Sequence, residues 1–360
     1  MPPVPKPLYG INAFKHRLDL KWNKLKYNKW SNDLAYEKYA RIVSADPSRA
    51  LSHAQQSEIT DYAGDVFGNT RFARWLMTYA AVRKEFRPGC IPDNYVGTYM
   101  LKNVVGPWKA RLERVKQRRV FDTDLIPEIL SCVNGRLSFP DNSEVPPDQL
   151  KAVIFERGDR AVLKLGASNQ SRAVSILSKD GFHPDMLPTD RDFVIQHMLR
   201  QDPDLDRFCA GAATTLRITT AMTQTGADTR EVRMRFARAG ETYLKAATEA
   251  CVSVDRKTGA YFAEGSDYDW APITRHPDSG EPFSGNTLTG MNAMKQACEK
   301  LHEEVPGIAW LGWDICPMAN GEFAIMEVNC GHASIRFAEA HHGPNYDDMG
   351  WETLHLRYPL

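Results

Sequence analysis

Residues 310–329, WLGWDICPMANGEFAIMEVN, constrain this chain more than any other stretch. They read as two short apolar strands around Asn320-Gly321, a pair suited to a type I′ turn because both central residues there need φ > 0. With those two in the turn, Ala319 faces Glu322, and counting back sets Asp314 opposite Glu327. Asn329 lies two residues beyond Glu327 and points from the same face. Leu311, Trp313, Ile315, Ala324, Met326 and Val328 make both strands half-buried. Two carboxylates and an amide oxygen on one side suit Mg²⁺, which takes hard oxygen ligands and shares its sphere with nucleotide phosphates. The same acids also fit an ordinary hairpin with a polar face, although like charges directly opposite repel and need compensation. Pro317 has no N–H to give a ladder, which argues for a wider loop. A symmetric widening keeps the Asp314–Glu327 pairing, and an asymmetric one breaks it.

With 360 residues the chain has room for two or three domains or one large α/β enzyme. Its formal net charge is +0, so no whole-chain field draws nucleic acid or an anionic membrane. Seven cysteines are scattered without a CxxC pair, which is neither a zinc pattern nor a disulfide framework and favours a reducing compartment. The first residues, MPPVPKPLYG, lack the charged and apolar regions of a signal peptide, and no apolar run reaches membrane-span length. A cytoplasmic protein is expected, with no nucleic acid partner and no membrane span; an oligomer is compatible with the sequence.

Residues 11 to about 90 read as helices. Phe14, Leu18, Trp22 and Leu25 share one helical face, while Lys15, Lys21, Lys24, Lys26 and Lys29, interleaved with Tyr27 and Trp30, read as the solvated side of a docking helix. Phe72 to Phe86 is a second helical pattern, stopped by Arg87-Pro-Gly. Residues 107–121 predict a basic helix opened by Pro107, and 126–138 a strand region reaching Asn134-Gly135. From 151 the pattern turns to strands: Ala152–Phe155 and Ala161–Leu165 as a hairpin, then 173–176, 192–199, 214–222 and 231–236. Residues 241–253 and 286–302 are expected to be helical, and 336–360 a closing helix and tail. The second half is therefore α+β with mainly antiparallel strands.

Lys164 inside an apolar strand is costly unless its ammonium finds a partner. The small polar run Gly166–Arg172 that follows can close backbone N–H groups over phosphates, although an exposed strand edge would also carry such a lysine. The run lacks both GxxxxGK[ST] and GxGxxG, so neither a P-loop nor a Rossmann reading is supported. Arg217 shares a strand face with Thr215 and Thr219, and Arg233 shares one with Arg235. Such arginines suit a bidentate grip on phosphate or carboxylate, or salt bridges with Glu231 or Asp228.

The order of these segments resembles the ATP-grasp superfamily, and more closely its sugar-transfer-associated family, related to α-L-glutamate ligases. The resemblance rests on Ile91-Pro-Asp-Asn-Tyr, Ile126-Pro-Glu-Ile, Val162-Leu-Lys-Leu-Gly, residues 194–203, Thr215-Leu-Arg-Ile-Thr, His276-Pro-Asp-Ser-Gly, Gly312-Trp-Asp-Ile and Met326-Glu-Val-Asn, over roughly 70 to 335. It implies an α+β ATP-grasp fold: a helical region over 1–100, a linker part over 101–150, a lid with the phosphate loop over 151–200, a catalytic subdomain over 201–340 and a tail over 341–360.

It further implies ATP and Mg²⁺ as cofactors. Lys164 would meet phosphates, with Lys116 (or Lys109) as a first nucleotide lysine. Residues 195–199, among them Gln196, His197 and Leu199, would hold adenine through backbone groups. Asp314, Glu327 and Asn329 would bind the metal, and Arg217 with Arg233 or Arg235 would act on the acyl phosphate or acceptor. His276 has no assigned role. The family usually carries Asp-Asn where this chain has Gly240-Glu-Thr-Tyr. The activity implied is an ADP-forming carboxylate–amine ligase working through an acyl phosphate, joining an amino acid to a sugar-linked or other small acceptor. The alternatives are a phosphotransferase on a small molecule or sugar, and a non-catalytic nucleotide-binding protein.

Overall fold

The computed structural model describes residues 9–105, 112–166, 174–305, 307–331 and 335–358 and, within them, all side chains except those of 9–25, 102 and 105. The chain divides into two units, Met1–Asn103 with Ile335–Leu360, and Val104–Ser334.

The first unit is helical, as its sequence pattern predicts. Helices α1 (Tyr9–Ala45), α2 (His53–Phe67) and α3 (Ala73–Arg83) are joined by short turns. Ser52 starts α2 with a capping box: its hydroxyl accepts the Gln55 N–H while the Gln55 side chain accepts the Ser52 N–H. Gly68 ends that helix at φ 71°, where a side chain would be strained. Phe67, Phe72, Trp75, Tyr79 and Tyr95 fill the interior. Polar ends of that aromatic core are tied to α1, with Trp75 Nε1 donating to Ser31 Oγ at 2.9 Å and Thr78 Oγ1 to the Ala35 carbonyl at 3.0 Å. The expected apolar face at Phe14, Leu18, Trp22 and Leu25, and Lys15, Lys21 and Lys24, lie outside the described side chains. Lys26, Lys29 and Trp30 are exposed.

The second unit holds two antiparallel sheets. The smaller has the order β2-β1-β5-β3-β4, built from β1 (Glu128–Val133), β2 (Arg136–Ser138), β3 (Arg160–Leu165), β4 (Val174–Ser178) and β5 (Phe193–His197). The larger runs β10-β9-β8-β7-β6-β11-β12. Its strands are β6 (Thr215–Thr223), β7 (Gly226–Phe236), β8 (Ala250–Ser253), β9 (Gly265–Ser266), β10 (Pro272–Ile273), β11 (Trp310–Pro317) and β12 (Phe323–Asn329). One face of the larger sheet buries Leu216, Ile218, Val232, Met234, Trp313 and Ile315 against helix Met291–Glu303 and its neighbours. Alternation along each strand sends Arg217, Arg233 and Asp314 to the other face.

The terminal hairpin keeps the expected pairing by a compensation. Asn320 (φ 60°) and Gly321 (φ 77°) form the turn, closed by the Glu322 N–H to the Ala319 carbonyl at 3.2 Å. Met318 N–H also bonds the Glu322 carbonyl at 2.8 Å, so Met318 and Ala319 both face Glu322. One residue is thereby gained on β11. Beyond it Ile315 pairs with Ile325 but Asp314 pairs with Glu327, so Met326 is the extra residue on β12. The two irregularities cancel, and Asp314 stands opposite Glu327. Asn320→Ala is expected to cost about 1 kcal/mol, because alanine meets the Cβ–carbonyl clash of the left-handed region that asparagine tolerates better. An unchanged urea midpoint would refute that expectation.

Four sequence expectations are corrected. Residues 150–154 are a helix, not the first strand of a hairpin: Pro146-Pro147 opens a turn, and Leu150 and Ile154, four apart, bury on one side. A run that short cannot distinguish the two states by periodicity. Residues 241–249 are turns and 250–253 is β8. There Glu241 accepts from the Arg238 N–H and the Thr248 hydroxyl, local bonds that compete with a helix. Helix Met291–Glu303 begins later than residue 286, after Gly290 in the left-handed region. The basic helix 107–121 is reduced to a turn at Arg114–Lys116 and a short helix Gln117–Phe121, because Arg114 and Gln117 bond to other strands; residues 107–111 lie outside the described residues. Among the described residues, no helix is long and apolar enough to cross a membrane.

Candidate active site

One row of residues crosses the larger sheet. Cα partners run Glu327 on β12, Asp314 on β11, Arg217 on β6, Arg233 on β7 and Ser253 on β8. Flanking rows place Asn329, Gly312, Thr219 and Glu231 on one side, and Thr215, Arg235 and Cys251 on the other. The sequence-predicted Asp314, Glu327, Asn329, Arg217, Arg233 and Arg235 are therefore gathered on one face.

The charges on that face are paired with each other. Arg217 grips Asp314 with both arms of its fork, Nε to Oδ1 at 2.7 Å and Nη2 to Oδ2 at 3.0 Å. Asn329 Nδ2 donates to Asp314 Oδ2 at 3.1 Å, and Arg235 Nη1 stands 3.5 Å from Oδ1. Burial would raise the Asp314 carboxyl, but Arg217 and Arg235 outweigh it and hold the group below the usual carboxylate range. Arg235 is further held by Glu249 at 2.6 Å, and Arg233 Nε lies 3.5 Å from fully buried Glu231, which also accepts from the Thr219 hydroxyl at 2.9 Å. The sequence leaves a grip on phosphate or carboxylate and surface salt bridges as alternatives for these arginines; Arg233 lies beside Glu231, inside the protein and not on its surface.

Arg114 joins the group although its sequence surroundings do not mark it. Its Nη2 donates to Glu327 Oε1 at 2.8 Å and its Nη1 to the Leu165 carbonyl at 2.8 Å, linking the larger sheet to β3. In sequence it is one of several basic residues in 109–119, and only the fold distinguishes it. Lys116 instead pairs with Glu113 at 2.8 Å and is half-exposed. Lys109 and the expected phosphate loop, Ala167–Arg172, lie outside the described residues.

Lys164 reaches the same region from β3. Its Nζ donates to the Met326 carbonyl at 3.1 Å, freed for this contact by the bulge next to Glu327. Burial pulls the ammonium down to about 8, opposed by Glu327 and reinforced by Arg114. Gln196 Nε2 approaches the same carbonyl at 3.5 Å. Lys164, Gln196, the Leu125 carbonyl and Gln117 together cover the outer edge of β12, which would otherwise leave backbone groups unpaired. Gln196 and Lys164 thus share one face of the smaller sheet. Ala161, Leu163, Phe193 and Ile195 bury on the opposite face, and alternation puts His197, the partner of Ala161, there too. Leu199 follows in the loop beyond β5.

His276 is 1 % exposed and organises a turn. Its Nε2 meets the Ala237 carbonyl at 3.1 Å, and its Nδ1 accepts the N–H groups of Asp278 and Ser279 at 3.4 and 3.3 Å. Those bonds give the residue a structural role.

Two carboxylates and an amide, with no thiolate or imidazole between them, have the donor chemistry of a hard cation such as Mg²⁺. Among the described residues, no group of three or more His, Cys, Asp or Glu side chains forms a metal cluster. The amide of Asn329 is what completes the set.

No curated protein matches the chain. The ADP complex of PurK, an N5-carboxyaminoimidazole ribonucleotide synthetase, is similar at 9% identity over 70% of this chain and 56% of that one, with a TM-score of 0.38. The ATP-grasp ligase PsnB with a minimal precursor is similar at 12% identity over 63% and 55%, TM-score 0.33. Biotin carboxylase from Campylobacter jejuni is similar at 9% identity over 71% and 48%, TM-score 0.41. The chain spans about half the length of these structures. Residues 168–343, which carry the arginine strands and the Asp314/Glu327/Asn329 hairpin, match the sugar-transfer associated ATP-grasp family.

Proposed function

We propose that the second unit binds ATP between its two sheets and uses it to join a carboxylate to an amine, forming ADP. The observation that carries this reading is the meeting of Lys164 and Glu327: the Lys164 ammonium bonds the carbonyl of Met326, the residue before Glu327. A phosphate binder and an acid–amide set thus adjoin at one point, beside the arginine row.

In this reading 151–200 acts as the lid and 201–340 as the catalytic part. Lys164 takes the phosphates, with Lys116 or Lys109 as a second cation. Residues 195–199 present backbone groups to adenine: Gln196 lies on the Lys164 face, and His197 and Leu199 contribute through the main chain. Asp314, Glu327 and Asn329 would hold Mg²⁺, which when bound neutralises phosphate charge. A substrate carboxylate oxygen attacks the γ-phosphorus as the bond to ADP breaks. The amine then attacks the acyl carbon, phosphate leaves, and the amine gives up a proton. Arg217, with Arg233 or Arg235, stabilises the oxyanion of that second step, since each guanidinium is held in place before the charge develops. The substrates are a small carboxylate and an amine or sugar-linked acceptor.

The test is ATP binding by calorimetry with and without Mg²⁺, for wild type, Glu327→Ala and Lys164→Ala, with folding checked by circular dichroism. Metal-dependent binding is expected in the wild type, weakened about tenfold or more by each substitution, as losing a charge-assisted contact implies. Folded wild type that binds no ATP overturns the proposal. Product analysis then separates the chemistry: ADP with free phosphate supports ligation, and ADP with a phosphorylated acceptor refutes it.

A further inference from the structure

Glu249 has no part in the chemistry proposed above, yet it is the carboxylate that holds Arg235. Both Nε and Nη2 of Arg235 donate to Glu249 Oε2, at 2.8 and 2.6 Å. Those two nitrogens form one edge of the guanidinium. Nη1, on the other edge, makes no hydrogen bond among the described residues and stands 3.5 Å from Asp314 Oδ1. Arg235 thus lies between two acids, hydrogen-bonded to one and only near the other. Its side chain is 12% exposed, that of Glu249 15% and that of Asp314 14%, so bulk water screens neither contact fully.

Glu249 is itself held by a frame that starts outside the arginine row. It directly precedes β8, at the end of a loop over 237–249. His276 Nε2 meets the Ala237 carbonyl at 3.1 Å, where that loop begins. Asp278, in the turn that His276 organises, takes Nε and Nη2 of Arg238 at 2.7 and 2.6 Å and the Ala239 N–H at 2.8 Å. Glu241 accepts the Arg238 N–H at 3.0 Å and the Thr248 hydroxyl at 2.8 Å, and the Glu249 N–H bonds the Lys245 carbonyl at 3.1 Å. A series of polar contacts therefore joins the His276–Gly280 turn to Arg235.

A guanidinium this buried is costly to leave unpaired. Without the Glu249 charge, the acid still beside Arg235 is Asp314. Arg235 would close onto it next to Arg217, and a cation at Asp314 would then have two arginines to displace instead of one. We propose that Glu249 is a positioning residue for Arg235, itself set by the His276–Gly280 turn through Asp278 and Arg238. It keeps Arg235 from closing onto Asp314, which leaves that acid to the cation and Nη1 to the oxygen that gains charge. The inference rests on the nucleotide and metal reading given above.

The experiment is Mn²⁺ binding at saturating ADP, read from the electron paramagnetic resonance of the free ion, on full-length protein with folding checked by circular dichroism. Mn²⁺ takes the same oxygen ligands as Mg²⁺. Glu249→Gln is expected to bind it about tenfold more weakly, and Glu249→Asp, which keeps the charge, to recover most of that loss. In an Arg235→Met background the Glu249→Gln loss is expected to shrink to about twofold or less, because no guanidinium is left to close onto Asp314. Asp278→Asn, at an exposed position, is expected to weaken Mn²⁺ about threefold, and only while Arg235 is present. It carries the same comparison if Glu249→Gln does not fold. Full Mn²⁺ affinity in Glu249→Gln overturns the inference. So does an equal fold-loss with and without Arg235, which is what a missing negative charge acting through space gives. Either result, in a wild type that binds ADP and Mn²⁺, leaves the nucleotide reading standing. Wild type that binds neither overturns that reading, and the inference with it.

Discussion

Asp314→Ala is expected to destabilise the second unit by about 3–5 kcal/mol, the range for removing one partner of a buried ion pair. Asp314 compensates a guanidinium that has a second one as its other strand neighbour. Arg217 is paired with it on β6, and Arg217 faces Arg233 directly on β7. Side-chain exposure is 7% for Arg217, 14% for Asp314 and 4% for Arg233, so water does not screen the repulsion that remains once the acid is gone. Arg235 keeps Glu249, which confines the loss mainly to Arg217. Urea unfolding of Asp314→Ala, Arg217→Met and the double variant measures the coupling. The double variant should recover much of the loss, because no unpaired guanidinium is left buried. A single-variant cost below about 1 kcal/mol, within the range of exposed pairs, would sink the argument.

This pairing bears on how a ligand enters the site. In the structure the arginines satisfy the carboxylates, so the like charges Asp314 and Glu327 stand opposite each other without penalty. On the proposed reading, ATP with Mg²⁺ offers each group a substitute: a cation for the acids and phosphate oxygens for the arginines. The desolvation cost of the buried charges is then already met before substrate arrives, which is the sense in which such a site is preorganised.

How much of this was legible in the sequence depends on the range of the interaction. The Asn320-Gly321 turn is local chemistry, and it set Asp314 against Glu327 correctly because a gain on β11 near Met318 is offset by one on β12 at Met326. Strand faces were equally readable: Leu216 and Ile218 bury while Arg217 and Thr219 project oppositely, as period-two alternation requires. Arg114 was not legible, since its role is fixed by contacts with Leu165 and Glu327, far away in the chain. Nor was helix Leu150–Ile154, whose apolar run has no period of its own. Residues 241–249 carry good helix formers, but Glu241 is captured by Arg238 and Thr248. That Asp314 and Glu327 need compensation is legible in the hairpin, but which groups supply it is not, because Arg217 and Arg114 lie far from them in the chain.

Two buried groups, one in each unit, predict opposite responses to pH. In the second unit His302 is fully buried, with Nδ1 2.8 Å from Thr220 Oγ1 and Nε2 3.1 Å from the Ile308 carbonyl. The carbonyl can only accept, so Nε2 carries the proton and Nδ1 accepts from Thr220, whose oxygen accepts from Trp313 Nε1 at 2.9 Å. Burial pushes the imidazole down from 6.5 to about 4, against the pull of the Ile308 carbonyl. Between those values the unfolded chain binds the proton and the folded one does not, so stability rises with pH over that window. In the first unit Glu339 is also fully buried, its carboxylate accepting the N–H groups of Ile91 and Asn345 at 3.3 Å each. Burial pushes this carboxyl up from 4.5 to about 7, more than its hydrogen bonds and Arg83 pull it down. Here the folded state holds the proton that the unfolded state has lost, so stability falls as pH rises through the window. Each effect amounts to about 3 kcal/mol at 1.36 kcal/mol per pH unit. Glu339→Gln, which keeps an acceptor oxygen and cannot ionise, should stabilise the protein increasingly from pH 4.5 to 7, whereas His302→Gln should flatten the loss of stability on acidification from 6.5 to 4. Urea unfolding across pH decides both, with slopes compared in place of absolute values so that packing losses in the variants cancel. Parallel curves for Glu339→Gln and wild type above pH 4.5 would mean that the carboxylate is ionised in the folded state at little cost.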